Sequence, residues 1–140
     1  MKVSIELRVQ FRDVDCLGHV NSATYLQYME TARIEFVRSL GRIERGFRPD
    51  FIIASSRCEY RKPIIDERRV TISVRVSRIG SRSWDFDYAI SSADGVLLAV
   101  GRTTQVAFDY QNESTIPLSD DLMKDLEKYS EKPLKFKGAT

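Results

Sequence analysis

Residues 11–25 read FRDVDCLGHVNSATY and bring many reactive side chains into one short stretch. They include two aspartates, Asp13 and Asp15, the cysteine Cys16, and His19, the only histidine of the chain. A carboxylate can serve as a general base for water or as a nucleophile, and a thiol becomes a nucleophile when a base lies beside it. The stretch therefore predicts a site of acid–base or nucleophilic chemistry.

Three kinds of site compete for these residues. Cys16 with His19 would form a nucleophile and its base, although the spacing does not show that the two face each other. The four side chains together would form a metal site, but the chain has no second histidine and no CxxC pair, so the usual zinc spacings are missing. An aspartate beside a helix N-terminus would act on an acyl group, because unpaired helical N–H groups can stabilise an oxyanion. A purely structural role as turn residues stays open for Asp13 and Asp15.

The elements on either side of this stretch are a strand and a helix. Residues 3–12 alternate between apolar and polar, so that Val3 to Phe11 would bury every second side chain. Apolar residues then repeat at helical spacing over 22–40, with Asn21 or Ser22 as the N-cap and Gly41 as the stop. The reactive side chains thus lie at a strand-to-helix corner.

Four more strands follow, at 51–61, 68–78, 82–92 and 96–108, and alternate residues of each are expected to share a face, in the first of them Ile52, Ala54, Ser56, Cys58 and Tyr60. Their connections are short, and Asp94-Gly95 is a strong hairpin signal, so neighbouring strands must be antiparallel. The apolar stripe of the long helix and the apolar face of the sheet must bury each other, which predicts an α+β domain. A polar segment follows Asp109, with a short helix predicted at 119–130 and Ser119 as its cap.

Composition narrows the class of protein. A chain of 140 residues is expected to be one domain, and two cysteines without a disulfide framework fit the cytoplasm. The N-terminus alternates instead of forming an apolar block, and no stretch reaches the ~20 apolar residues that span a bilayer. A net charge of +2, with Trp84, Phe86 and Tyr88 predicted to point inward, argues against a nucleic-acid surface. Neither a membrane partner nor a cofactor is expected.

The run from Asp13 to Asn21, followed by Tyr25-Leu26 and by Glu30 to Arg33, closely resembles the hot-dog-fold acyl-CoA thioesterases, and in particular the 4-hydroxybenzoyl-CoA thioesterase family. That family reads D-x-D-x-x-G-H-V-N-N-x-x-Y and then E-x-x-R. Two weaker matches are the segment 60–64, which resembles Y-x-x-P-L, and the segment 80–83, which resembles G-x-x-S. The resemblance extends over residues 3–109.

The resemblance implies a hot-dog fold, in which a five-stranded antiparallel sheet wraps around one long helix. It implies a single domain over 1–140, with a core at 3–109 and a polar C-terminal extension at 110–140. It also implies a homodimer whose sheets join edge to edge with active sites at the interface, and many relatives are homotetramers.

The resemblance also assigns roles within the motif. Asp15 is the catalytic residue, the backbone N–H of Ser22 is the oxyanion donor, and Gly18 shapes the approach of the substrate. His19 and Asn21 would orient the corner. Relatives often carry a second asparagine where this chain has Ser22, and a backbone donor tolerates that change.

Residues for substrate binding are predicted from chemistry and position. Residues 57–82 hold eight cations and three acids, which favours a ligand with phosphates, although exposed strands also need charge for solubility. The predicted binding residues are Tyr25 for the acyl pocket and Arg61, Lys62 and Arg82 for coenzyme A. In the dimer that the resemblance implies, Ser81 and Ser83 of the partner subunit would also reach the thioester.

The predicted function is hydrolysis of an acyl-CoA to a free acid and coenzyme A, with Asp15 as general base or nucleophile. Two alternatives remain: a thioesterase for acyl carrier protein, and an acyl-CoA-binding hot-dog protein without catalysis.

Overall fold

The computed structural model describes residues 2–42 and 50–138. Its elements, in chain order, are β1 (Val3–Arg8), a 3-10 helix (Phe11–Asp13), α1 (Ser22–Ser39), β2 (Phe51–Tyr60), β3 (Arg69–Ile79), β4 (Ser83–Ser92), β5 (Leu97–Asp109), β6 (Ser114–Thr115) and α2 (Asp120–Lys128).

The strands form an antiparallel sheet in the order β1-β3-β4-β5-β2, and the two-residue β6 pairs with β5. Strands β3, β4 and β5 follow one another through short turns, of which the last has Gly95 at φ +85°. The edge strands β1 and β2 join from distant parts of the chain. The predicted α+β architecture with one long helix against an antiparallel sheet is confirmed.

Helix α1 packs its apolar stripe onto one face of this sheet. Its buried residues include Met29 and Phe36, and the facing residues of β4 are Phe86 and Tyr88. Gly101 on β5 leaves room for the Met29 side chain of α1, because a Cβ atom at position 101 would lie 2.2 Å from the Met29 Cε atom. The predicted inward direction of Trp84, Phe86 and Tyr88 is confirmed by their burial.

Two details of the strand prediction are wrong. β1 ends at Arg8, and Phe11 is 96% exposed instead of buried, because the chain turns into a 3-10 helix closed by Gln10 and Asp13. The alternation predicted along β2 is broken by a bulge between Ile53 and Ser55. A bulge adds one residue to one strand, so the side chains on either side of it no longer share a face.

The segment after β5 adds to the core instead of lying apart from it. Leu118 and Leu126 are buried, and Tyr129 packs edge-on against Phe36 of α1 with ring centroids 4.8 Å apart. The predicted cap of α2 is confirmed, since Ser119 Oγ accepts a hydrogen bond from Leu122 N at 3.2 Å.

Candidate active site

The corner between β1 and α1 is a loop closed by its own backbone. Val14 and Val20 pair as an antiparallel bridge, and Asp15 N donates to His19 O at 2.8 Å. Within the loop, Gly18 N donates to Asp15 O at 3.0 Å, and Gly18 adopts a φ of +79°. Glycine adopts this left-handed conformation without the steric cost that a Cβ atom would add. The loop therefore holds Asp15 in a defined position.

The Asp15 carboxylate is bound on one side and open on the other. Its Oδ1 atom accepts hydrogen bonds from Leu17 N at 2.9 Å and from His19 N at 3.4 Å. Among the residues that the structure describes, none donates to Oδ2. One oxygen thus fixes the carboxylate, and the other is available to accept a proton.

Asp13 has a different environment. It is buried, and its Oδ2 atom accepts hydrogen bonds from Gln10 N and from Tyr28 Oη, both at 2.8 Å. Burial together with the neighbouring Asp13 carboxylate raises the pKa of Tyr28, which stays a neutral hydrogen-bond donor. Asp13 O accepts from Asn21 N at 2.8 Å, so Asp13 ties the start of the corner to the start of α1.

The first turn of α1 is capped by Asn21, as predicted. Its Oδ1 atom accepts from Ala23 N at 2.9 Å, and its carbonyl accepts from Thr24 N at 2.9 Å. The amide of Ser22 is the first of the helix, and no intrahelical carbonyl can accept a hydrogen bond from it. This N–H lies at the positive end of the helix dipole.

The end of β2 and the segment after it form the opposite wall. Tyr60 Oη donates to Ser22 O at 2.8 Å, and Ile64 N donates to Tyr25 Oη at 3.3 Å. The rings of Tyr25 and Tyr60 meet edge to face with centroids 4.8 Å apart. Val20 N donates to Ile64 O at 3.0 Å, which joins this wall to the corner loop.

A depression of about 420 Å³ lies between the corner and this wall. Its lining consists of Asp15, His19, Val20, Ser22, Tyr25, Tyr60, Arg61, Lys62 and Pro63. A second depression lies on the other side of Asp15, between β1 and α1, and includes Asp13, Asn21 and Tyr28. Asp15 lines both, so it stands on the ridge between them.

The corner lies within a long segment that matches a known protein superfamily. Residues 9–126 match the sequence profile of the thioesterase-like superfamily. The chain belongs to this superfamily. It is a thioester hydrolase with the hot-dog fold, and the match includes the corner, α1 and all strands from β2 to β5.

Relatives of this thioesterase include proteins of several bacteria. A Thermus thermophilus thioesterase, solved in complex with coenzyme A and Zn, is 28% identical, has a TM-score of 0.80, and aligns over 93% of this chain and 95% of that one. A predicted thioesterase of Bacillus stearothermophilus has the same fold, with a TM-score of 0.86 at 23% identity over 95% of this chain and 99% of that one. The long-chain acyl-CoA thioesterase FadM of Escherichia coli is 22% identical over 125 residues, 87% of this chain and 95% of the relative.

Six of the predicted site residues of the thioesterase line the depression: Asp15, His19, Ser22, Tyr25, Arg61 and Lys62. Gly18 lies in the corner loop itself, and Asn21 lines the second depression. Tyr60 belongs to the Y-x-x-P-L match, but the sequence predicts no role for its side chain. The alternation of β2 does not reveal that the Tyr60 hydroxyl donates to Ser22, the first residue of α1.

The predicted residues 81–83 do not lie near Asp15 of the same protomer. Ser83 pairs with Val106, and Val106 pairs with Ile52, so the turn is level with the start of β2, whereas Tyr60 is at its end. Within the protomer, Arg82 Nη1 donates to Thr115 O at 2.9 Å, and Ser83 Oγ accepts from an arginine of β3 at 2.9 Å.

Among the described residues, the side chains of Cys16 and His19 share no hydrogen bond. Cys16 is exposed in the corner loop, whereas Cys58 is half-buried on β2, where burial raises the pKa of its thiol to about 11. Within residues 2–42 and 50–138, no group of three or more histidine, cysteine, aspartate or glutamate side chains is placed to hold a metal ion.

None of the described helices is long and apolar enough to cross a membrane.

Proposed function

We propose that the chain is an acyl-CoA thioesterase and that Asp15 carries the reaction. The observation that supports this most is the position of Asp15. Asp15 borders a depression that also includes the head of α1 and the cationic segment after β2, and its Oδ2 atom accepts no hydrogen bond from the described residues. A carboxylate fixed through one oxygen and open at the other has the geometry that a general base or a nucleophile requires.

In the general-base route, Asp15 removes a proton from water while the water oxygen bonds to the thioester carbon. The carbonyl oxygen becomes an oxyanion, which the N–H of Ser22 stabilises at the helix N-terminus. The carbon–sulfur bond then breaks, and the thiolate of coenzyme A leaves and takes up a proton. In the nucleophilic route, Asp15 attacks the carbon first and the thiolate of coenzyme A leaves, which forms a mixed anhydride. Water then hydrolyses this anhydride to the same acid and regenerates the Asp15 carboxylate.

Three residues hold this arrangement without taking part in bond making. His19 closes the Asp15 loop through its backbone N–H and carbonyl, and Gly18 supplies the turn. Asn21 caps α1 and leaves the amide of Ser22 at the head of the helix. Tyr25 lines the wall against which an acyl group would lie.

A homodimer completes the proposed site. β2 is an edge strand of ten residues, and antiparallel pairing of two such strands would place the Tyr60 end of one beside the Phe51 end of the other. The turn with Ser81, Arg82 and Ser83 of the partner subunit would then approach the depression. Two free cysteines fit the reducing cytoplasm as the compartment.

The first test is release of free thiol from a series of acyl-CoAs by the wild type, Asp15→Asn and Cys16→Ser. Asparagine keeps the size of the side chain but cannot accept the proton. We expect Asp15→Asn to lower kcat by at least about a hundredfold, as is typical for loss of a general base. Cys16→Ser, which alters the neighbouring residue, should keep its activity.

Equal turnover by the wild type and Asp15→Asn would refute the role of Asp15, and loss in Cys16→Ser would support the cysteine route. Binding of acyl-CoA without turnover in the wild type would favour the alternative of a non-catalytic protein. The acyl group with the highest kcat/KM would define the substrate class.

A further inference from the structure

The residues after α2 run across the face of the sheet that is opposite to α1. We call residues 130–138 the strap. Val76 N donates to Tyr129 O at 3.0 Å, and Glu131 N donates to Val76 O at 2.9 Å. β1 pairs with β3 only as far as Val74, the partner of Val3. Both hydrogen bonds at Val76 lie beyond this point, so the chain crosses the edge of β3 where β1 does not cover it.

The strap follows a row of charged residues that the strand register places side by side. Arg75 pairs with Asp87, Asp87 with Arg102, and Arg102 with Arg57. Leu134 N donates to Asp87 Oδ2 at 2.8 Å. These contacts fix the strap across β4 and β5.

One aromatic ring anchors the strap further along the row. The Phe136 ring lies against two guanidinium groups, with its centroid 4.2 Å from Arg57 Cζ and 4.9 Å from Arg102 Cζ. Guanidinium groups at this distance attract the face of an aromatic ring. The strap is thus held in place before it reaches the end of β2.

The strap ends beside the wall of the active site. Lys137 N and Gly138 N donate to the two carboxylate oxygens of Glu59 at 2.6 and 2.8 Å, and Arg61 Nη2 donates to Lys135 O at 2.8 Å. These amides lower the pKa of Glu59, which stays ionised. The same glutamate pairs with Arg61 at 2.9 Å.

These contacts determine which cationic side chains near the end of β2 are available to bind a ligand. Arg61 lines the depression, but its side chain is only 15% exposed and its guanidinium is already bound by Glu59 and by the strap. Lys62, Lys135 and Lys137 have exposed side chains and belong to the same end of β2. Lysine is a flexible point charge, and it suits phosphate groups that lie at a surface.

We propose that Lys135 and Lys137 of the strap, together with Lys62, bind the phosphate groups of coenzyme A. This inference rests on the proposed function. The thioester would lie by Asp15, and the pantetheine arm would pass over residues 60–62. The nucleotide end would then reach the lysines, which the anchored backbone of the strap holds near the end of β2.

The test compares two substrates with the same acyl group, one on coenzyme A and one on N-acetylcysteamine, which carries no phosphate. In Lys135→Gln/Lys137→Gln, we expect KM for the acyl-CoA to rise about three- to tenfold at low salt, as for two exposed charge pairs. Its kcat should change little, and hydrolysis of the N-acetylcysteamine thioester should not change. The difference from the wild type should shrink at high salt because surface charges are screened.

Lys124→Gln/Lys128→Gln is the matched control, since it removes two exposed lysines from α2, which packs at the other end of α1. The inference is overturned if both double variants behave alike, if the strap variant loses both substrates equally, or if only an acyl carrier protein substrate is affected. Should the wild type hydrolyse neither thioester, the proposed function fails on its own. Calorimetric binding of free coenzyme A then decides this inference, with weaker binding expected only in the strap variant.

Discussion

Asp13 and Asp15 are two residues apart, yet the fold gives them different tasks. Asp13 is buried and uses its carboxylate to bind Gln10 N and Tyr28 Oη. Asp15 is partly exposed and keeps its Oδ2 atom free of donors from the described residues. Spacing alone could not separate these two aspartates, because the difference comes from Tyr28 on α1, fifteen residues further along the chain.

The two cysteines should differ in reactivity. Cys16 is exposed, whereas burial raises the pKa of Cys58 to about 11, so that its thiol stays protonated and unreactive near neutral pH. At pH 8 we expect a thiol reagent to modify Cys16 rapidly and Cys58 only after unfolding. Mass spectrometry of the labelled peptides checks this assignment.

Cys58→Ser serves as the control for the labelling experiment and should leave the fast phase unchanged. Rapid modification of Cys58 in the folded protein would mean that the end of β2 is more open than these contacts indicate.

At the scale of elements, the spacing of apolar residues predicts where the long helix and most of the strands begin and end. The bounds of α1 and of strands β2 to β5 agree with the prediction within a residue or so, because apolar periodicity marks α1 and β3 to β5 and short, turn-forming links separate the last three strands. The pattern failed at Phe11, where the 3-10 helix depends on a hydrogen bond from Gln10 N to Asp13 that no period reveals.

The pattern also failed on the outer face of β4. Alternation assigns Asp85 and Asp87 to solvent, yet Asp87 is fully buried and Asp85 nearly so. Asp87 is bound by Arg102 and by Leu134 N. A segment far along the chain provides this cover, and such long-range contacts lie outside the reach of local periodicity.

The contact between α1 and β5 predicts a specific packing defect. Gly101→Ala would push a methyl group against Met29 and towards the Arg57 carbonyl, which lies 3.2 Å from the ideal Cβ position. We expect the free energy of unfolding to fall by about 1–3 kcal/mol, as for other overpacked cores. Urea denaturation of the purified protein measures this loss.

The same substitution in a Met29→Ala background is the control, because the shortened side chain removes the clash. Gly101→Ala should then cost clearly less. An equal cost in both backgrounds would assign the effect to the contact with the Arg57 carbonyl of β2 instead of to Met29.

At the scale of the whole molecule, the protomer leaves its site open on one side. The predicted residues 81–83 lie level with the start of β2, away from Asp15. In the proposed site, these residues could therefore contribute only from a second protomer. The sequence could predict the residues of the corner, but neither the pairing partner of an edge strand nor the path of the strap is encoded in local spacing.

Complementation between two inactive variants tests this shared site. One carries Asp15→Asn, and the other carries Ser81→Ala, Arg82→Glu and Ser83→Ala together. Random mixing of equal amounts makes half of the dimers mixed, each with one intact site, so we expect about a quarter of wild-type activity.

Each variant alone should remain inactive at the same total concentration. If the mixture gains nothing although mass measurements show mixed dimers, the turn at 81–83 acts within its own protomer or not at all. We expect sedimentation of the wild type to give a dimer mass, twice the 16.1 kDa of the chain.

The loop around Asp15 has a consequence for how such proteins diversify. Its bridge, its turn and the bonds to the Asp15 carboxylate are all made among residues 14–20, so its shape depends little on the side chains of β2 or of the strap. Substitutions in those outer segments are therefore expected to alter which molecule is held while Asp15, the proposed catalytic residue, stays in place. Under this proposal, the substrate can change at the periphery of the site while the reaction itself is kept.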